Sequence, residues 1–149
     1  MQLNIETEIA ELVKGIKIDK EGKGDDEISR VDLKFRFTAE SSILEQLLLT
    51  EKPEGIFWRR GRLIPGLKKI PITTSWKFTQ VFFGEVQCDN CTIRNVALAP
   101  QESGQVVVTL LASFRNPTGK QLATLAKRSD HSLGLKIISA PDLFDVSDD

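Results

Sequence analysis

The sequence predicts a mainly β chain, an antiparallel sheet or small barrel with two short helices. Three observations lead there. Residues 28–38 alternate apolar and charged side chains with period two, residues 105–115 are apolar on both faces, and turn signals separate several further β-rich runs. At 149 residues the chain falls in the single-domain range, and it can bury a core without a metal or disulfide staple. The expected organisation is one β-rich domain over 1–140 and an acidic tail over 141–149.

In chain order, the first 20 residues fit two patterns. Ile5, Ile9, Leu12, Val13 and Ile16 have helical spacing, yet Ile16 and Ile18 suit the start of a strand. Residues 19–27 (DKEGKGDDE) read as a solvated loop. In 28–38, Val31, Leu33, Phe35 and Phe37 point one way and Arg30, Asp32, Lys34 and Arg36 the other, so one face is buried. Ser42 and Glu45 have capping-box spacing, and Leu44, Leu47 and Leu48 form an apolar stripe behind them, which predicts a helix ended by Pro53 and Gly55. Residues 56–64 return to strand character, with Arg60-Gly61 offering a turn, and 65–71 (PGLKKIP) read as a loop. A long β-rich run covers 72–86. Asp89-Asn90 predicts a two-residue hairpin turn, because both residue types tolerate positive φ. A returning strand over 91–98, a turn at Ser103-Gly104 and a central strand over 105–115 follow. Asn116-Pro117 breaks that strand. Thr118 and Gln121 form a second capping box for a helix to about residue 128, with Leu122, Leu125 and Ala126 inward. Leu133, Leu135 and Ile137 alternate in a closing strand, and Pro141 ends the order.

Composition narrows the function classes. The start, MQLNIETEIAEL, lacks a basic, apolar, small-residue progression, so no secretory signal is expected. No apolar run reaches the roughly 18 residues that span a bilayer. With two cysteines, this places the chain in a reducing, cytoplasmic compartment. The catalytic inventory is thin, with one histidine (His131, in a connecting segment) and no tyrosine. NPTGKQ lacks the first glycine of a phosphate-binding loop, and Gln121 stands where that loop needs Ser or Thr. Cys88 and Cys91 have the spacing of half a zinc site or a redox pair. A closed zinc site needs about four ligands, so two reduced cysteines flanking a turn is the preferred reading. Asp25, Asp26 and Glu27 have the oxygen chemistry for Mg²⁺, but adjacent acids in such a loop are commonly just solvated. No catalytic residue, metal or cofactor is assigned.

The informative feature is charge segregation. Net charge is −1, yet residues 1–29 hold eight acids against four lysines, residues 52–77 hold seven basic residues against one acid, and residues 141–149 hold four aspartates and no base. Such asymmetry suggests a polyanion partner, an acidic tail, or both. The basic segment also carries Phe57, Trp58, Trp76 and Phe78, with Phe82 and Phe83 just beyond. Nucleic-acid surfaces need cations for phosphates and flat rings for bases. If 56–62 is extended, Trp58, Arg60 and Arg62 share a solvent face while Phe57 and Leu63 share the other. Trp58 would then stack on bases, and Arg59, Arg60, Arg62, Lys68, Lys69 and Lys77 would hold phosphates. The plainer reading puts Trp76, Phe78, Phe82 and Phe83 in the core. The tail, APDLFDVSDD, offers Asp142, Leu143, Phe144 and Asp145 to a partner's basic pocket, or tucks its apolar pair against the sheet.

Many short strands, two helices, a basic-aromatic centre and an acidic tail with an aromatic residue resemble the small single-stranded-DNA-binding proteins of bacteria and phages. The resemblance implies an OB barrel, binding of single-stranded nucleic acid, and recruitment of a replication or recombination protein by the tail. Phe144 lies five residues from the end, further in than that family's tail aromatic. The Asp-Leu-Phe segment also resembles the end of sliding-clamp-binding peptides, without their glutamine. The expectation is a non-enzymatic accessory protein preferring single-stranded DNA, and homo-oligomers fit this class. The alternative is a protein–protein module (a phage-type adaptor, inhibitor or assembly protein), because Trp and Arg also dominate protein interfaces.

Overall fold

The computed structural model describes residues 3–48, 54–66, 69–129 and 131–139, apart from the side chains of Asp26 and Glu54. Among the described residues, nine strands and three α-helices are formed: β1 (Asn4–Glu21), β2 (Ile28–Glu40), α1 (Ile43–Leu48), α2 (Glu54–Phe57), β3 (Trp58–Arg59), β4 (Arg62–Leu63), β5 (Ile70–Ile72), β6 (Trp76–Phe83), β7 (Val86–Pro100), β8 (Gln105–Arg115), α3 (Gly119–Arg128) and β9 (Leu133–Ser139).

Six strands close a ring. The order is β1-β2-β8-β7-β6-β9, every pair antiparallel, and β9 returns to β1. Closure removes the unpaired edges that an open sheet of this length would expose. β5 lies outside the ring and continues alongside β7 where β6 leaves it, with Ile70 opposite Leu98. The expected mainly β, barrel-like class is what the structure shows. The OB arrangement has a five-stranded barrel, and this ring has six strands.

The alternation in β2 directs the core as its sequence predicts. Val31, Leu33, Phe35 and Phe37 are all buried. They meet Val106, Val108, Leu110 and Ala112 of β8 and Phe83 of β6, whose ring centroid lies 5.0 Å from that of Phe35. Asp32 departs from the expected outward set. It is buried beneath Arg30 and Ser113, which bond its carboxylate.

The Asp89-Asn90 expectation is corrected. β7 runs straight through these residues, and the hairpin turn sits at Gly84-Glu85, between the paired Phe83 and Val86. Gly84 has φ +58, which suits the first central position of a type II′ turn. Asn90 does take a positive φ of 54, but as a β-bulge: between Thr79↔Cys91 and Val81↔Cys88, β7 takes three residues where β6 takes two. Further bulges fall at Lys77-Phe78 in β6 and near Asn95 in β7. β1 resolves the ambiguous N-terminal segment as a strand, kinked at Lys14-Gly15, both with positive φ. It also takes in Asp19–Glu21 from the expected solvated loop.

The helices follow their caps in part. α3 begins on the predicted capping box: the Gln121 N–H donates to Thr118 Oγ1 at 3.0 Å, and the Thr118 N–H donates to Gln121 Oε1 at 2.9 Å. Leu125 is buried and Leu122 packs partly against the core, but Ala126 is exposed. At α1 the first turn is closed by a backbone bond, Glu45 N–H to the Ser42 carbonyl at 3.3 Å. α2 is a third helix that was not expected. It buries Phe57 in the core and shortens the expected 56–64 strand to a tight hairpin. Part of the expected 65–71 loop is strand β5.

Candidate nucleic-acid interface

The hairpin β3–β4 carries the predicted cations. Trp58 pairs with Leu63 and Arg59 with Arg62 around a two-residue turn at Arg60-Gly61. Both turn residues have positive φ, 55 and 76, the signature of a type I′ turn. Alternation therefore puts Trp58 with Leu63 and Arg59 with Arg62. The expected sharing of one face by Trp58, Arg60 and Arg62 does not occur, because the turn falls inside that segment. Phe57 is in the core rather than beside Leu63.

Trp58 anchors the hairpin. Its indole is half-buried against the core, meets Phe57 edge-on at 5.9 Å, and donates from Nε1 to the Gln101 carbonyl at 2.8 Å. The Leu63 N–H reaches Glu102 Oε2 at 3.3 Å, and the Ile64 N–H donates to the Phe57 carbonyl at 2.8 Å. The hairpin is thus fixed to the β7–β8 connection, where Gly104 makes the predicted turn. An indole committed to these contacts holds the cations in place and is a poor free stacking platform.

Arg59, Arg60 and Arg62 are exposed, and none forms an ion pair among the described residues. The other five arginines each lie within ion-pair distance of a carboxylate: Arg30, Arg36, Arg94, Arg115 and Arg128. Two further features of the hairpin are unfavourable for stability. Like charges face each other directly across the strands, and an arginine occupies a turn position that favours asparagine. Lys69 is exposed nearby in sequence, while Lys68 lies outside the described residues. Lys77 is exposed but stands in the β6 bulge. Asp142, Leu143, Phe144 and Asp145 of the acidic tail also lie outside the described residues.

Two concavities stand out among the described residues. The larger, about 1020 Å³, is lined by Glu6, Glu8, Glu11 and Glu40 against one guanidinium, Arg36, which Glu11 already holds at 2.5 Å. That charge balance repels phosphate. The smaller, about 630 Å³, brings together Lys77, Phe78, Arg94 and Arg115; the plainer reading that put Phe78 in the core is corrected, since its ring is exposed, and Arg94 and Arg115 were not among the expected site residues. Its carboxylates are engaged. Arg30 and Arg115 each reach Glu21 at 2.8 Å, Arg30 also bonds Asp19 and Asp32, and Asp89 accepts from Gln80 and Gln87. Arg30 foremost, and Arg115 with it, holds the Glu21 carboxyl below its ordinary range against the opposing effect of burial. The same contact with Glu21 raises Arg30.

Cys88 and Cys91 are both buried, form no disulfide, and flank the Asn90 bulge rather than a hairpin turn. The hydrogen bond with Cys88, followed by burial, pushes the Cys91 thiol up, while the same contact lowers Cys88 against the opposing effect of burial. Among the described residues no three His, Cys, Asp or Glu side chains converge, and no helix is long and apolar enough to cross a membrane. Compared with protein-family models, curated proteins and solved structures, the chain matches none.

Proposed function

We propose that this protein is a non-enzymatic nucleic-acid-binding protein preferring single-stranded DNA, with the β3–β4 hairpin as its phosphate grip. The observation that carries the reading is the contrast among arginines. Five lie within ion-pair distance of a carboxylate, while the three gathered on one hairpin are exposed and form no ion pair among the described residues, with two of them directly opposed. Such an arrangement costs stability unless a polyanion supplies the missing counter-charge. Trp58 serves this grip by position, through its bond to Gln101. The likeness to small OB single-stranded-DNA-binding proteins enters only as a shared plan, a small barrel presenting cations on its connections.

Titration of the chain with labelled single-stranded and duplex oligonucleotides at low and moderate salt tests this. The expected result is binding that weakens steeply with salt and favours the single strand. Absence of binding at low salt overturns the proposal and leaves the protein–protein reading of the same hairpin.

A further inference from the structure

Phe78 is out of place by two measures. It is 67% exposed, on a strand whose other large apolar residues are mostly buried. Its φ is +57, a conformation that bulky L-residues avoid. Both follow from the bulge: between Trp76↔Ile93 and Thr79↔Cys91, β6 takes three residues where β7 takes two, so Phe78 is turned out of the core. Exposure and backbone strain at one aromatic residue are unfavourable for folding alone, and such outliers gather where a ligand is held.

The surroundings say what kind of ligand. Phe78 borders the 630 Å³ concavity with Lys77, Arg94 and Arg115. Lys77 has no ion pair among the described residues. Arg115 holds Glu21 through Nε only, which leaves the ends of its fork available. Arg94 lies 3.9 Å from Asp32, and its buried Nε has no hydrogen-bond partner. Asn90 and Asn116, both with positive φ, add amide donors and acceptors to the rim. A flat ring, amide groups and undersatisfied cations together match a nucleotide: base on the phenyl ring, base edge on the amides, phosphate on the cations.

We infer that the Phe78 concavity accepts an unpaired base of a bound strand, and that this site is what makes the protein prefer single strands. The inference rests on the proposed nucleic-acid binding. The hairpin touches backbone, which duplex and single strand both present, whereas a base reaches Phe78 only when it is unpaired. The nine steps along β7 and its turn from Thr92 to Gln101 set the two sites at most about 30 Å apart along the strand, less what the bulge near Asn95 takes up. One oligonucleotide must be long enough to cover both.

The test compares a deoxythymidine oligonucleotide with an abasic oligonucleotide of equal length, using the whole chain. The parent should bind the base-bearing strand roughly 5- to 150-fold more tightly, the worth of one stacked base. Phe78→Gly should erase that ratio while keeping its melting temperature at or above the parent's, since glycine accepts the positive φ. Arg59→Thr with Arg62→Thr should weaken both ligands and leave the ratio intact. Equal binding of the two ligands by the parent, or an unchanged ratio in Phe78→Gly, overturns the inference with the hairpin reading standing. Failure of both ligands to bind at low salt overturns both.

Discussion

Removing the hairpin's cations without disturbing its backbone separates recognition from folding. In the combined variant Arg59→Thr, Arg60→Asn, Arg62→Thr, the directly opposed arginine pair becomes a favourable Thr–Thr pair, and the turn gains the Asn-Gly sequence that its positive φ values prefer. Trp58 and its bond to Gln101 are untouched. The fold should therefore be as stable as the parent or slightly more so. Binding should change in a calculable way. Each phosphate contact on a single strand contributes about 0.7 to the slope of log K against log salt, so losing three contacts reduces the slope by about 2.1. Between 50 and 200 mM salt, a fourfold range, the parent's affinity should fall roughly 18-fold further than the variant's. Fluorescence anisotropy with a labelled deoxythymidine oligonucleotide at several salt concentrations measures this directly. A slope change smaller than about 0.7, less than one contact, refutes the assignment of phosphate binding to this hairpin.

Trp58→Phe keeps the ring and loses the Nε1 bond, so urea denaturation should show a loss of about 0.5–1.5 kcal/mol, while oligonucleotide affinity changes little because the ring is an anchor. Asp32→Ala strips a buried carboxylate from Arg30, Ser113 and Arg94. It should cost about 3 kcal/mol, at the low end for a broken buried pair because Arg30 keeps Asp19 and Glu21. The expected fall in melting temperature is roughly 6–12 °C, read by calorimetry. Glu21 is held below its unfolded value by Arg30 and Arg115, so its stabilising effect is present above the ordinary glutamate range and is lost as pH falls through the depressed folded value. Glu21→Gln should flatten that acid limb of a stability-versus-pH curve, and an unaltered limb would assign it to other carboxylates.

The parts of the fold that could be read in advance are those where the local pattern and the final partner agree. The alternation of β2 and the Thr118 box needed no knowledge of distant contacts, since one depends on parity and the other on a span of three residues. Bulges defeated the rest. In β1 the buried residues Ile5, Ala10 and Leu12 change parity where the register with β9 slips, so neither a helical nor a strand period fits the whole segment. At Asp89-Asn90 the tolerance for positive φ was real, but the choice between turn and bulge was made by Gly84, two residues before Val86. The Phe78 site left a usable trace. Counting back from the inward Phe83, Val81 and Thr79 arrives at Lys77, which cannot be buried, while Trp76 is buried instead. That slip of phase requires an extra residue and ejects a neighbour. For Trp58, residue type suggested stacking, and only the fold could reveal an acceptor 43 positions away.

Ring closure has a consequence for synthesis. β9 fills the gap between β1 and β6, and the Ser139 N–H donates to the Leu3 carbonyl at 2.8 Å across nearly the whole described chain. Until Leu133–Ser139 has left the ribosome, β1 and β6 each lack a neighbour and their backbone groups stay open to other chains. The barrel therefore completes itself only after translation of its final strand, by a contact of very long sequence separation, which is slow to form. A polypeptide stopped before Leu133 should collect as aggregate.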